Sequence, residues 1–187
     1  MALDASNVNV AVTGALSLGG DTAVAPTDAV AVLGTGWVDL GYISEDGVTE
    51  TRDRSSEQVR AWQNKDLLRV VVTESGMTYS CVLVETKAEV VGLYYGTTVA
   101  ADGSVIINPG ETGGRHKFVL DLVDGDDKIR VYIPAGEVTE VGDQVYDGTQ
   151  AIGYEVTITA YPDASLAGPG GRPGSAVKFY SALDTTP

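Results

Sequence analysis

Phe118-Val119-Leu120-Asp121-Leu122-Val123-Asp124-Gly125-Asp126-Asp127-Lys128-Ile129-Arg130-Val131-Tyr132-Ile133 decides the fold class. Phe118, Leu120 and Leu122 recur with period two against Val119 and Asp121. Ile129, Val131 and Ile133 do the same on the far side of an Asp-Gly pair. Period-two alternation means strands with one buried face. Asp-Gly tolerates the positive φ of a tight hairpin turn, so the segment predicts an antiparallel hairpin.

The pattern repeats along the chain. Leu68, Val70 and Val72 form one alternating set, Met77, Tyr79, Cys81 and Leu83 another, and Tyr154, Val156 and Ile158 a third. Asp46-Gly47, Asp102-Gly103 and Asp147-Gly148 supply further turn signals, and Trp62-Gln63-Asn64-Lys65-Asp66-Leu67 reads as a hairpin connection. One helix is predicted over 87–95. Thr86-Lys87-Ala88-Glu89 has the form of a capping box, Val90, Leu93 and Tyr94 follow at helical spacing, and Gly96 stands where a left-handed cap ends a helix. The expected fold is therefore all-β, mainly antiparallel: a β-sandwich or flattened barrel with one short flanking helix and extended arms or loops.

The remaining segments are less regular. Residues 13–36 are rich in Ala, Gly, Thr and Pro. Residues 162–175 read as a flexible Gly/Pro linker, followed by a short strand, Ala176-Val177-Lys178-Phe179-Tyr180. This divides the chain into a β domain with an N-terminal arm, residues 1–161, and a C-terminal arm, residues 162–187. A chain of 187 residues buries roughly 70% of its extended surface and needs no disulfide or metal to hold it.

Composition excludes several functions. The balance of 26 Asp and Glu against 12 Lys and Arg gives −14, the wrong sign for a free-standing nucleic-acid binder. Cys81 is the single cysteine, which fits a reducing compartment. The opening Met1-Ala2-Leu3-Asp4-Ala5-Ser6-Asn7 has neither the basic nor the apolar region of a signal peptide, and no apolar run is long enough for a membrane anchor.

Catalytic chemistry finds little support. The single histidine, His116, lies in the basic turn Gly113-Gly114-Arg115-His116-Lys117 and reads as a solvated loop residue. Cys81 alternates with apolar neighbours and reads as a small buried hydrophobe. Asp121, Asp124, Asp126 and Asp127 resemble the start of a calcium loop. However, the twelfth position, where a bidentate Glu belongs, is Tyr132. Gly34-Thr35-Gly36 lacks the rest of a dinucleotide fingerprint, and Gly168–Gly174 lacks the Lys-Ser/Thr of a phosphate loop. No catalytic residue, metal site or cofactor is expected.

A more specific signal is Gly34-Thr35-Gly36-Trp37-Val38-Asp39-Leu40-Gly41-Tyr42-Ile43-Ser44-Glu45-Asp46-Gly47-Val48-Thr49-Glu50. With Ala25-Pro26-Thr27-Asp28-Ala29, Val59-Arg60-Ala61-Trp62-Gln63, Val84-Glu85-Thr86, Leu93-Tyr94-Tyr95-Gly96, Gly153-Tyr154-Glu155-Val156-Thr157 and Ala160-Tyr161, it resembles the tail tube (major tail) proteins of siphophages infecting actinobacteria. The resemblance spans roughly residues 14–161. It implies a structural, non-enzymatic subunit that forms hexameric rings, one sheet of each copy joining a β-barrel around a channel. Rings stack around a tape-measure protein, and DNA passes through without being bound. It also implies a place in the virion tail and assembly in the host bacterial cytoplasm.

Two sets of residues follow from that resemblance. Glu155, Thr157 and Thr159, opposite the apolar Tyr154, Val156 and Ile158, are candidates to face the channel, where like charge keeps phosphates from sticking within a Debye length of about 8 Å. Ser44–Ser56 occupies the place of a ring-stacking loop, with Glu45, Asp46, Glu50, Arg52, Asp53 and Arg54 as its charged candidates. The alternatives are another phage component, such as a capsid-decorating or head–tail joining protein, and a carbohydrate-binding β-sandwich using Trp37 and Trp62.

Overall fold

The computed structural model describes residues 7–183. The first six residues of the opening segment and the last four of the chain lie outside that range. In chain order the strands are β1 (Thr13–Gly19), β2 (Trp37–Asp39), β3 (Ile43–Arg60), β4 (Leu67–Leu83), β5 (His116–Asp124), β6 (Asp127–Val141), β7 (Tyr154–Ala160), β8 (Asp163–Ala167), β9 (Pro173–Gly174) and β10 (Val177–Tyr180). The helix α1 (Ala88–Tyr95) lies between β4 and β5. The expectation of an antiparallel all-β sandwich with one short helix is met.

The predicted hairpin is β5–β6. Leu120 stands opposite Val131 and Asp124 opposite Asp127, and the turn is Gly125-Asp126 with Gly125 at φ 59°. β6 is 15 residues long and serves two neighbourhoods. Its first half lies between β5 and β10, and its second half pairs with β7. The sheet therefore runs β2-β1-β5-β6-β7-β4-β3 and folds over a single core. Phe118, Leu120, Val131 and Ile133 meet Tyr79, Cys81, Leu83, Val156 and Ile158 there. Burying each of these large side chains is worth about 1.5–3 kcal/mol. Gly136 stands where the layers converge, and a Cβ there would come within 2.6 Å of the Phe118 ring.

Alternation predicted that Val119, Asp121, Arg130 and Tyr132 would face away from this core, and they do, but into a second buried layer. The Ala- and Gly-rich connection between β1 and β2 covers them. Trp37 meets the Tyr132 ring edge-on at 6.2 Å and donates its indole N–H to the Val24 carbonyl. The Arg130 guanidinium grips both Asp121 carboxylate oxygens, at 2.6 and 3.0 Å, and donates to the carbonyls of Asp28 and Ala31. β1 itself, in a segment with no strand signal, is held between β2 and β5.

The helix ends where expected. Gly96 caps it in the left-handed conformation, φ 64° and ψ 30°. The capping box does not form: Lys87 is the N-cap and no side chain bonds the first turn. The Thr86 hydroxyl instead bonds the Tyr154 phenol at 3.2 Å, and Tyr94 donates to the Gly142 carbonyl at 2.6 Å. Tertiary anchoring has displaced the local cap. The segment read as a flexible linker is a small ribbon of β8 and β9, and the short C-terminal strand appears as β10 on β6.

The largest departure concerns Ser44–Ser56. It is strand, not loop. β3 and β4 form one antiparallel pair whose turn centres on Asn64 and Lys65, both at positive φ (54° and 58°), inside the connection from Ala61 to Asp66. Asp46-Gly47 is no hairpin turn either. Ile43 pairs with Leu83 and Val48 with Cys81, so Ser44–Gly47 bulge out opposite Val82. β4 leaves β7 at Thr78, and beyond it residues 54–75 pair only with each other. This two-stranded arm reaches roughly 30 Å past the sandwich.

Candidate assembly surfaces

β3, β4, β7 and the end of β6 present one outer face. Register places Thr51, Thr78 and Thr159 in one row and Thr49, Ser80 and Thr157 in the next. Val82 pairs with Glu155, and Glu137 lies beside Thr159. Asp53 continues the face along β3. The Thr139 and Thr159 hydroxyls bond each other at 2.7 Å, and Glu137 accepts from the Thr112 hydroxyl at 2.6 Å. Along these rows the face carries hydroxyls and carboxylates but no Lys or Arg. The sequence-derived trio Glu155, Thr157 and Thr159 falls on this single face. Its remaining members were missed because they are polar alternates on strands chosen for their apolar alternates.

The six charged candidates of β3 do not form one cluster. Glu45 and Asp46 sit in the bulge at the sandwich end. Asp53 lies on the hydroxyl-rich face, whereas Glu50, Arg52 and Arg54, offset by one residue, point to the other side. Glu50 is paired within its own chain, 2.6 Å from the Lys178 ammonium on β10. Strand parity thus removes the cations of β3 from the hydroxyl-rich face.

The arm is unlike an ordinary surface hairpin. Val59, Trp62, Leu67, Leu68, Val70, Val71 and Val72 are all exposed, Trp62 at 88% and Leu68 at 66%. The alternating set Leu68, Val70 and Val72, which periodicity alone assigns to a core, lies on one face of this arm with no part of the sandwich against it. An isolated two-stranded hairpin is marginal in water, and one with bare apolar faces and free edges is a template for another chain.

Residues that invited catalytic or metal readings have other employment. His116 bonds the Gly113 carbonyl through its ring at 3.1 Å. Cys81 is buried, and burial pushes its thiol up to about 11. Asp121 is held by Arg130, and Asp124 accepts the Val10 amide. Among the described residues no group of three or more His, Cys, Asp or Glu side chains is arranged to hold a metal, and no helix is long and apolar enough to cross a membrane.

The family described as phage tail tube protein matches residues 1–168. The chain belongs to that family. A tail tube subunit is a structural component of a bacteriophage virion tail and not an enzyme. Membership favours this reading over a decoration, joining or carbohydrate-binding module, and Trp37, packed on Tyr132, offers no sugar platform. No curated protein matches the chain. Among solved structures, this tail tube family member is similar to a chain of the sheath–tube complex of an extracellular contractile injection system in its extended state. That similarity has a TM-score of 0.47 and 10% identity, covering 95% of this chain and 98% of the other. It is also similar to a chain of the virion of a native gene transfer agent particle, with a TM-score of 0.41 and 11% identity over 97% and 100%.

Proposed function

We propose that this subunit assembles into hexameric rings that stack into a hollow tube, with the hydroxyl- and acid-bearing face turned to the channel. The observation that carries the reading is the arm: some twenty residues with bare apolar side chains and unpaired edges, which only another chain can cover. Head-to-tail contacts whose rotation closes produce rings, and the number of copies is the one the resemblance to siphophage tail tubes implies.

The channel assignment is supported by the absence of cations from the rows of Glu155, Thr157 and Thr159. Such a wall lets DNA pass without binding it and leaves room for a tape-measure protein before ejection. Stacking is assigned to charged residues at the start and the middle of β3: Glu45 and Asp46 in the bulge, with Arg52, Asp53 and Arg54 at the root of the arm. Glu50 contributes only if it exchanges its partner Lys178. Each exposed pair adds up to about 1 kcal/mol, repeated around the ring. Assembly takes place in the host bacterial cytoplasm, where Cys81 stays reduced.

Electron microscopy of the purified protein tests the reading. Rings or tubes with a central hole are expected, and a monodisperse monomer at high concentration would overturn it. Replacing residues 54–75 by Asn-Gly joins Asp53 to its register partner Gly76 and removes no core residue. That variant is expected to stay folded and fail to form tubes. Normal tubes from it would move the assembly role off the arm.

A further inference from the structure

Charge is divided unevenly between the arm and the sandwich. Residues 54–75 hold four cations (Arg54, Arg60, Lys65, Arg69) and three acids (Glu57, Asp66, Glu74). The rest of the chain holds the other 8 cations and 23 acids, and so carries a charge of −15. The tip places Trp62, almost fully exposed, between Arg60 and Lys65, and Arg60 donates across the turn to the Lys65 carbonyl at 3.2 Å. The tip is thus an aromatic ring flanked by two cations, with one acid, Asp66, beside Lys65.

At the opposite end of the same strand pair lies a groove of about 750 Å³ between the β3 bulge and the connection from β6 to β7. Its wall includes the carboxylates of Glu45, Asp46, Asp143 and Glu155, and no Lys or Arg lines it. Between the acids stand Tyr42, 76% exposed, and Val145, 51% exposed. The groove therefore combines exposed apolar side chains with acidic ones, the complement of the tip. Strand direction keeps the two apart within one chain. The tip extends from the Thr78 end of β4 and the groove sits at its Leu83 end, so the tip of one copy meets the groove of the next when copies repeat head to tail.

We propose that Trp62 of one subunit seats in the groove between Tyr42 and Val145 of a second copy of this chain, with Arg60 and Lys65 against Glu45, Asp46 and Asp143. The inference rests on the tube-subunit reading and names its contact. Charge reversal tests it on the full chain. Glu45→Lys with Asp46→Lys, or Arg60→Glu with Lys65→Glu, is expected to raise the critical concentration for assembly by about tenfold or more, since close charge pairs set both encounter and register. Combining all four substitutions is expected to restore assembly toward wild type. All four positions are exposed, and circular dichroism checks that each variant is folded.

A second arm uses Trp62→Cys with Val145→Cys under mild oxidation of assembled protein, where native Cys81 is buried. A ladder of cross-linked chains is the expected result. Tubes that form without a ladder, or charge reversals that leave the critical concentration unchanged, would overturn the docking while leaving the tube reading intact. A wild-type chain that never assembles would sink both.

Discussion

Arg130 is almost fully buried, but four of its five donors are matched to two carboxylate oxygens and two carbonyls, so its charge is neutralised where it lies. It fastens the connection between β1 and β2 to the outer side of β5 and β6. Arg130→Ala is expected to cost about 2–4 kcal/mol by chemical denaturation, because it leaves Asp121 and both carbonyls without a partner. Arg130→Met keeps the packed stem and should lose less. Cys81 carries the opposite logic: burial alone moves its thiol from 9.0 to about 11. The unfolded thiol ionises near 9 while the folded one stays neutral, so the unfolded state binds fewer protons between those values. Stability is therefore expected to fall as pH rises from 9 to 11, by at most about 1.4 kcal/mol per pH unit for this group, and Cys81→Ala should lose that slope. In the folded subunit at neutral pH the thiol should resist alkylation, which a mass spectrometer reads directly. Both roles differ in how far they were legible. Cys81 sat in an alternating apolar run and announced itself as core. Arg130 alternated with Ile129 and Val131 and so pointed outward, and nothing in the Ala- and Gly-rich residues 20–36 said that they would come to lie over it.

Elements with a single buried face were legible, because burial on one side writes a period of two into the chain. β5, β6 and β7 carry that period, and each stands where alternation put it. The arm does not obey the rule. Leu68, Val70 and Val72 alternate as core residues do, but Val59 and Val71 on the other face are exposed and apolar as well, so no face of this hairpin is a solvent face in the ordinary sense. The charged Ser44–Ser56 misled because it is polar on both faces apart from Val48, so no period of two marks the strand that pairs with β4. The capping box failed because the Thr86 hydroxyl found Tyr154, a contact 68 residues distant that local sequence does not encode. For the arm, hydrogen exchange gives the direct check. In the unassembled subunit, amides of residues 54–75 should exchange far faster than those of β5 and β7, since only one ladder of exposed bonds holds them. In assembled tubes the same amides should become protected. Equal protection in both states would mean that the arm is stable alone and covers nothing.

For the molecule as a whole, the channel role proposed for the hydroxyl- and acid-bearing face rests on its electrostatics. Assembled protein is expected to show no affinity for duplex DNA even at low ionic strength, where attraction between unlike charges is least screened. Converting Glu137, Glu140 and Glu155 to Lys should create binding that weakens steeply with salt, measured by filter retention or anisotropy. Wild-type tubes that bind DNA in a salt-dependent way would refute the role given to the acids. That the rows from Glu155 to Thr159 lack cations was only partly readable from the chain: Glu155, Thr157 and Thr159 lay on one alternating set, but the placement of Arg52 and Arg54 on the other side depended on a register that the bulge at Ser44–Gly47 sets. β6 has a mechanical consequence. One unbroken backbone runs through both layers of the sandwich, with β5 and β10 gripping its first half and β7 its second. A load applied to one layer therefore enters the other through covalent bonds, not through the sliding of side chains. Shearing the layers apart would mean tearing ladder hydrogen bonds on both halves of the same strand at once, so under tension or torsion the body yields as a block and strain collects instead in the arm and the loops.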